Sequence, residues 1–200
     1  MAEDKTKKEF VGEPYFAVLS ALSHLMADAG INYAIIGGIA AGMWGMPRST
    51  YDVDIVATLD KGAVKQLLDT AGKHGFTFKT DEIKTLLKSD MLRIYYQPGG
   101  QEIIIAIDCM LAETEYQREV IRRAKKIKIS DYYISFASPE DVIILKLISF
   151  RGKDRADIDD IIRYRGRSLD TGYIMKWAKV FEVEANLRNC RKIIQTHKIT

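Results

Sequence analysis

The 200-residue chain is poor in cysteine, histidine and proline and has no long apolar run. Its cysteines, Cys109 and Cys190, show no motif spacing, and their scarcity fits a reducing cytoplasm. The histidines are scattered, so no zinc site is expected. No apolar run reaches the roughly 18 residues that a membrane span needs, and the charged N-terminus lacks the apolar stretch of a signal peptide. We therefore expect a cytoplasmic protein without a membrane partner.

The composition is that of a globular protein, with 47% hydrophobic and 28% charged residues. This length suits one domain with a small helical appendage, and the apolar content suffices for a proper core. The formal net charge of +3 is mildly basic. It is compatible with a nucleotide or nucleic-acid ligand and does not establish one.

Apolar periodicity and turn residues predict a chain of the α/β (α+β) class, with a mixed α/β centre that contains at least one hairpin and a helical C-terminal part. A Pro98-Gly99-Gly100 turn should join two strands as a hairpin, and Ser138-Pro139 should start a helix. The predicted strands are 32–36, 51–57, 91–96, 102–109, 126–129 and 132–136. The predicted helices are 14–29, 39–45, 61–74, 81–89, 113–123, 138–150, 154–164 and one from 170 onward.

The most informative segment runs from Gly37-Gly38 to Asp52 and Asp54. Glycines at a strand end let backbone N–H groups approach a polyphosphate, and the helix N-terminus that follows adds partial positive charge. Carboxylates at positions i and i+2 of a strand point to the same face, roughly 6–7 Å apart along the chain. Two such acids can ligate one or two hard cations such as Mg²⁺.

Each half of this pattern also has a plain structural interpretation. An Asp-x-Asp pair alone is more often a solvated strand face, and Gly-Gly before a helix is at least as often a simple turn. The two halves occur here in sequence order with Arg48 and Thr50 between them. That combination is much harder to obtain by chance, and it favours a nucleotide site.

The segment IIGGIAAGMWGMPRSTYDVDIV resembles the nucleotide-binding motif of nucleotidyltransferases of the DNA polymerase β type. Its Arg-x-Thr-x-Asp-x-Asp form is similar to the subgroup of AbiEii toxins. The resemblance implies a nucleotidyltransferase-like fold with a mixed β-sheet flanked by helices. It implies transfer of a nucleoside monophosphate from an NTP such as ATP, with Mg²⁺ or Mn²⁺ as cofactor. It also implies nucleotide contacts from Gly37, Gly38, Arg48 and Thr50. Gly38 departs from the pattern, since many relatives have serine there, so backbone N–H groups would have to replace that hydroxyl.

Enzymes of this type usually carry a third acid on a neighbouring strand, where it holds metal and can act as a base. Asp108 ends the apolar run Ile103–Ile107, and an ionised acid there is costly unless it is paired or bound to metal. The alternative is a solvated strand end. We expect Asp108 to complete a catalytic, metal-binding set with Asp52 and Asp54.

Lys146 interrupts a helix that is apolar almost all round, so its ammonium must reach solvent, pair with an acid or meet a ligand phosphate. Lys153 would lie on the same face if that helix extended. The stretch SPEDVIILKLISFRGKDRADIDDI resembles the C-terminal motif of the AbiEii type, which implies triphosphate contacts from Lys146 and Lys153. Asp154 and Asp157 are expected to brace the next helix. Residues 1–136 are predicted to form the catalytic core, and 137–200 a helical segment that packs on it and completes the NTP site.

The basic stretch from Arg118 to Lys128 is either a solvated face or, as relatives that modify tRNA imply, a contact for an RNA backbone. The leading hypothesis is an active nucleotidyltransferase. The resemblance to AbiEii toxins implies a toxin–antitoxin component, with tRNA or another RNA as acceptor and a cognate antitoxin as partner. A protein hydroxyl or a small antibiotic is an alternative acceptor. The other hypothesis is a catalytically inactive module of the same fold that binds a nucleotide or a partner protein.

Overall fold

The computed structural model describes residues 13–59, 63–79, 81, 86, 89–99, 102–129 and 131–196. They form two compact units. The first comprises the described residues up to Ile36 and those from Thr50 to Ala137; the second comprises Gly37–Ser49 and those from Ser138 onward. Residues 37–49, which the sequence analysis placed in the core, therefore group with the C-terminal helices. The completion of an NTP site by residues 137–200 stays a prediction.

Seven strands and eight helices are found in the part of the chain that the structure describes. The strands are β1 (Tyr33–Ile35), β2 (Asp52–Ala57), β3 (Phe76–Thr77), β4 (Met91–Tyr96), β5 (Ile105–Leu111), β6 (Lys125–Ile129) and β7 (Tyr132–Phe136). The helices are α1 (Glu13–Asp28), α2 (Gly37–Trp44), α3 (Val64–Lys73), α4 (Glu115–Arg122), α5 (Pro139–Ser149), α6 (Gly152–Arg165), α7 (Thr171–Val180) and α8 (Glu184–Thr196). A short 3-10 turn, Gly166–Ser168, follows α6.

The first unit contains one mixed sheet with the strand order β3-β4-β5-β2-β1-β7-β6. Strands β2 and β5 are parallel, as are β1 and β7, and the other neighbours are antiparallel. Side chains of β5 alternate between buried and half-buried along the whole strand. Because alternate residues of a strand point to opposite faces, the buried positions of β5 lie on one face of the sheet, and the half-buried positions, which include Asp108, lie on the other.

The second unit is built on α5, which is buried along most of its length. The Ser138 hydroxyl caps the helix by accepting from the Asp141 N–H at 3.2 Å, and Pro139 occupies the first turn. The Tyr173 hydroxyl of α7 donates to Asp141 at 2.7 Å, which joins the two helices. A Cβ at Gly45, just after α2, would lie 3.0 Å from the Ile161 backbone nitrogen of α6, so this close approach requires glycine.

Most predicted elements are confirmed, with shifts of a few residues at their ends. The strand expected at 102–109 begins only at Ile105 and continues to Leu111, and Ile103 and Ile104 before it are exposed. The predicted helix at 81–89 lies largely outside the described residues, as do the first residues of the one predicted at 61–74. The segment from 170 onward forms two helices, α7 and α8.

One correction concerns the helix that carries Lys146. Helix α5 ends at Ser149, because Phe150 adopts a left-handed conformation with φ of 41°. Lys153 belongs to the next helix, α6. The two lysines are therefore not on one continuous helix face. Within the described residues, no helix has the combination of length and hydropathy that crossing a bilayer requires.

Candidate metal and nucleotide site

Three aspartates converge on one face of the sheet in the first unit. Strands β2 and β5 run parallel, and their register places Asp54 directly beside Asp108. Asp52 lies two residues before Asp54 and shares its face. One carboxylate oxygen from each residue lies within 4.8 Å of the others. We call these three residues the carboxylate cluster; all three are half-buried, so the cluster is open to a ligand.

The apolar residues that alternate with the aspartates hold strands β2 and β5 in their register. Val53, Ile55 and Ile107 alternate with the aspartates and are fully buried on the opposite face. A slip of one residue in either strand would move the acids into the core and the apolar residues out of it. Burial of the apolar face therefore fixes the register that brings the carboxylates together.

Arg93 binds the third carboxylate. It lies on β4 directly opposite Asp108 in the antiparallel register. Its guanidinium donates to both carboxylate oxygens, with Nε–Oδ1 at 2.5 Å and Nη2–Oδ2 at 2.7 Å. The Arg93 side chain is 42% exposed and that of Asp108 is 14% exposed. A charge-assisted bidentate pair of this kind fixes the orientation of the carboxylate and compensates part of its charge.

Asp52 is connected through Thr50 to Tyr15 of α1 by two hydrogen bonds. The Thr50 hydroxyl donates to Oδ1 of Asp52 at 3.0 Å. The Tyr15 hydroxyl of α1 donates to the Thr50 backbone carbonyl. Burial, assisted by the nearby negative charge of Asp52, raises the pKa of Tyr15. Tyr15 is therefore a neutral donor at neutral pH, and it ties α1 to the start of β2.

The geometry of the carboxylate cluster fits a divalent cation. Oxygen atoms on opposite sides of an octahedral Mg²⁺ are about 4.2 Å apart, since each lies about 2.1 Å from the ion. The 4.8 Å limit of the cluster is only slightly wider. Small side-chain rotations would close this difference, and so would a division of the three carboxylates between two ions.

The Gly37-Gly38 pair lies at the start of α2, which belongs to the second unit. Gly37 has a φ of 65°, a left-handed conformation that glycine adopts without strain. Strand β1 ends shortly before it, and the Ile36 N–H donates to the Asp54 carbonyl at 2.9 Å. The predicted order of strand, glycine turn and helix is thus present. The nucleotide-binding role of Gly37, Gly38, Arg48 and Thr50 stays a prediction.

Lys146 is buried in the second unit, and its ammonium binds two carboxylates. Its Nζ lies 3.0 Å from Asp154 Oδ1 and 2.8 Å from Asp157 Oδ2, both on α6. The three side chains are between 0 and 6% exposed. The sequence left solvent, an acid or a ligand phosphate as the destination of the Lys146 ammonium, and in the structure it binds acids. A triphosphate contact by Lys146 stays a prediction.

Two more exposed arginines also bind these aspartates. We call the five residues the lysine–aspartate group: Lys146, Asp154, Asp157, Arg48 and Arg151. The Arg48 guanidinium donates to both oxygens of Asp157, at 2.8 and 2.9 Å. Arg151 donates to Asp154 from Nε at 2.7 Å and from its backbone N–H at 3.0 Å. The expectation that the two aspartates brace α6 agrees with these contacts.

The ionisation of both aspartates reflects a competition between burial and pairing. Burial alone would raise the pKa of Asp154, but hydrogen bonds from Arg151 and Lys146 outweigh it and leave the pKa well below its usual range. Burial opposes the hydrogen bonds from Arg48 and Lys146 at Asp157, and its pKa is also lowered. Both carboxyl groups are ionised at neutral pH. Lys153, the other predicted phosphate contact, is exposed near the start of α6.

A family model described as a nucleotidyl transferase of unknown function (DUF2204) matches residues 15–192. This span covers most of the chain and contains the whole carboxylate cluster. The chain belongs to this family of nucleotidyl transferases. The match confirms the nucleotidyltransferase resemblance, and the AbiEii subgroup stays a proposal. No curated protein matches the chain in sequence.

Solved structures show the same fold. An antigenic nucleotidyltransferase-like protein from Paracoccidioides brasiliensis is similar, with a TM-score of 0.59 and 21% identity over 88% of this chain and 91% of that chain. ANT(2")-Ia, in complex with adenylyl-2"-tobramycin, has a TM-score of 0.53 and 13% identity over 84% of this chain and 97% of that chain. These similarities confirm the predicted nucleotidyltransferase-like mixed sheet with helices.

Arg93 and Tyr15 are the site residues that the sequence analysis did not identify. Arg93 had a signal in the sequence, because it is the single charge in the apolar strand Met91–Tyr96, as Asp108 is in the partner strand. Their pairing depends on the register across the intervening loop, which the sequence did not specify. Tyr15 had no comparable signal, since its contact with Thr50 depends on how α1 packs.

Proposed function

We propose that this protein is a metal-dependent nucleotidyltransferase that moves a nucleoside monophosphate from an NTP to an acceptor hydroxyl. The convergence of Asp52, Asp54 and Asp108 within 4.8 Å carries this proposal. Membership of a nucleotidyl transferase family supports it. A bound Mg²⁺ or Mn²⁺ would neutralise triphosphate charge and lower the pKa of the acceptor hydroxyl.

The residues of the cluster would divide this work. Asp52 and Asp54 would ligate the cation, and Thr50 would hold the Asp52 carboxylate in its binding orientation through the 3.0 Å hydrogen bond. Asp108, oriented by Arg93, would complete the ligand set and accept the proton of the acceptor hydroxyl. Fixed charges of this kind do not have to reorganise during the reaction, so they stabilise its transition state. Positioning of the reactants is a separate contribution to the rate.

The acceptor class is proposed from the AbiEii-like motif. It favours a hydroxyl of tRNA or another RNA, in a toxin–antitoxin pair whose antitoxin would be the partner protein. A protein hydroxyl is the next candidate. A small antibiotic is a third, which the structure of ANT(2")-Ia with adenylyl-2"-tobramycin supports through the shared fold.

A second candidate is a catalytically inactive module that binds a nucleotide or a partner protein. The observation that favours it is the Arg93–Asp108 pair, since the guanidinium already occupies both oxygens of the third carboxylate. Each carboxylate oxygen retains a second lone pair, so the pair does not prevent metal binding. Activity measurements separate the two candidates.

The test is incubation of the protein with each α-³²P-labelled NTP, Mg²⁺ and separate acceptor pools of total RNA, cell protein and aminoglycosides. The expected result is label transferred to one pool with one preferred NTP, and no transfer when EDTA is present during the incubation. The matched control is Asp69→Asn, which removes an exposed acid from α3, far from any site residue in sequence. No transfer to any pool, together with intact Mn²⁺ and NTP binding, would favour the inactive module.

We retain Lys146 and Lys153 as proposed triphosphate contacts. Replacement by methionine keeps the apolar stem and deletes the charge. Lys153→Met should weaken NTP binding by about 1–3 kcal/mol, the range for a charge-assisted hydrogen bond, without lowering Tm, since Lys153 is exposed. Calorimetric titration of NTP with Mg²⁺, alongside thermal melts, checks this. If Lys146→Met lowers Tm but leaves NTP affinity unchanged, its role is the ion pairing alone.

A further inference from the structure

A pocket of about 620 Å³ opens in the first unit, away from the carboxylate cluster. Its walls come from α1, the start of β1, α4, β6 and β7. This volume lies within the range of sites that hold small organic ligands, roughly 300–1,000 Å³. The pocket is therefore large enough for one nucleotide unit.

Distance along β2 separates this pocket from the carboxylate cluster. Tyr33 lines the pocket and is paired with Ala57, at the end of β2. Asp54 lies three residues earlier on β2 and Asp52 five residues earlier. At about 3.3 Å per residue, the two acids are about 10 and 16 Å away along the strand. The pocket is a second site and not an extension of the first.

The charge of the pocket is positive. Arg118, Arg122 and Lys126 line it, and no acid is among the described residues of its walls. The Arg122 guanidinium is bound to the Glu119 carboxylate at 2.6 and 2.8 Å, which compensates its charge. Arg118 instead donates to the neutral carbonyl of Glu113 at 2.9 Å. Arg118 and Lys126 therefore supply the net positive charge that an anion would meet.

Tyr33, which lines this pocket, carries a buried hydroxyl group. Tyr33 is 8% exposed, and within the described residues its hydroxyl proton has no acceptor. The Ser135 N–H lies near the hydroxyl oxygen but can only donate to it. Burial raises the pKa of Tyr33 to about 12, and the nearby Ser135 N–H opposes this only in part. The group is thus a neutral phenol at neutral pH. A buried donor without an acceptor is costly, and a ligand oxygen would satisfy it.

The rim of the pocket carries an exposed aromatic ring. Tyr133 lines the pocket and is 63% exposed. Exposed aromatic side chains beside cationic ones are the usual means by which proteins bind nucleotides without reading their sequence, because every base has a face that stacks. Positive charge, a hydroxyl donor and a stacking ring occur here together.

We propose that this pocket binds a phosphate-bearing nucleotide unit, with Arg118 and Lys126 on the phosphate, Tyr33 donating to a phosphate or ribose oxygen and Tyr133 against the base. Two sources share this chemistry. The unit is either a free mononucleotide or one nucleotide of a single-stranded RNA segment. Neither source requires the carboxylate cluster or a metal.

The experiment uses the full chain with Asp52→Asn and Asp54→Asn, in EDTA, so that metal-dependent binding at the carboxylate cluster does not contribute. Failure here is then distinguishable from failure of the proposed transferase activity. The probes are AMP, followed by calorimetry, and a short fluorescein-labelled single-stranded RNA, followed by fluorescence polarisation. Binding of AMP with displacement of RNA indicates a free nucleotide site, and binding of RNA alone indicates a strand site.

Matched variants decide whether the pocket itself is responsible. Lys126→Gln should weaken binding about tenfold, the loss expected for one charge-assisted hydrogen bond. Lys128→Gln removes the same charge from the same strand outside the pocket walls and should change binding less than about twofold. Tyr33→Phe should weaken binding about fivefold without lowering Tm, since it deletes only the buried hydroxyl.

Equal effects of Lys126→Gln and Lys128→Gln would overturn the proposal, because a solvated basic face responds to any lost charge. Unchanged binding in Tyr33→Phe would overturn the role of the pocket interior. Absence of binding by both probes would overturn the site as a whole.

Discussion

Two aspartate pairs of this chain have similar spacing in sequence and opposite surroundings in the structure. Asp52 and Asp54 lie on a strand, half-buried, beside a third carboxylate. Asp154 and Asp157 lie on a helix, buried, and both bind the Lys146 ammonium. The first pair gathers negative charge at an open face. The second pair is already matched by cations of the protein.

The difference shows what separates a metal site from a structural ion-pair group. Like charges held close together at an accessible face favour binding of a divalent cation, because the cation offsets the electrostatic repulsion between them. In the lysine–aspartate group, Lys146, Arg48 and Arg151 give that compensation permanently. Removing an acid should therefore have opposite consequences at the two places: lost function at the first and lost stability at the second.

The largest expected effect is on stability at the lysine–aspartate group. Asp154→Asn removes a fully buried carboxylate and leaves Lys146 and Arg151 without one of their partners. Breaking a buried ion pair on one side typically costs about 3–5 kcal/mol. Urea unfolding of the wild type and the variant would measure this loss. A change below about 1 kcal/mol would mean that Asp157 alone compensates the buried ammonium.

The same substitution in the carboxylate cluster should act on function. Asp54→Asn keeps the shape of the side chain and removes the charge of a metal ligand. Transfer of labelled NMP should fall at least about 10²-fold, since a bound metal contributes several kcal/mol of transition-state stabilisation. Thermal stability should be unchanged or higher because repulsion with Asp52 and Asp108 is relieved. Wild-type transfer rates in this variant would exclude the cluster as the catalytic centre.

Acid pH should affect the second group through its lowered pKa values. A carboxyl group whose pKa is lower in the folded state stabilises the protein above its unfolded-state pKa of about 3.9. This contribution is lost as the pH falls through the lower, folded-state pKa. Urea midpoints measured from neutral pH down to below pH 4 should therefore fall in the wild type. The fall should be smaller in Asp154→Asn, and parallel curves would show that other groups dominate acid unfolding.

A smaller effect is expected at Arg93, which gives one member of the carboxylate cluster, Asp108, a cationic partner from the protein itself. Arg93→Met removes the cation beside Asp108, so Mn²⁺ should bind more tightly, by about 3–10-fold given the solvent screening of this half-exposed pair. Arg93→Lys retains the charge and is the matched control, and it should bind Mn²⁺ about as the wild type does. Electron paramagnetic resonance titration of Mn²⁺ reports this without requiring activity. Weaker Mn²⁺ binding in the methionine variant would show that the orientation of Asp108 by Arg93 favours metal binding more than the positive charge of Arg93 opposes it.

Much of the architecture was predictable from local patterns. The alternation in Tyr51–Ala57 predicted a strand with Asp52 and Asp54 on one face, and Ser138-Pro139 predicted the start of α5. Such features depend on neighbours a few residues apart, where backbone geometry restricts the outcome. The predicted start of the strand was wrong by three residues because Ile103 and Ile104 are β-branched and apolar, which predicts a buried strand, whereas the structure leaves both exposed before β5 begins at Ile105.

By itself, the sequence determined the elements, the glycine turn and the nucleotidyltransferase motif, since these follow from residue order and local conformation. Only the tertiary structure decided the partners of the charged side chains. It placed Arg93 on Asp108 and turned Lys146 and Arg48 toward Asp154 and Asp157. The physical reason is that a long cationic side chain has several acids within reach, and the choice among them depends on strand register, helix packing and burial, which bring together residues as far apart as Arg48 and Asp157.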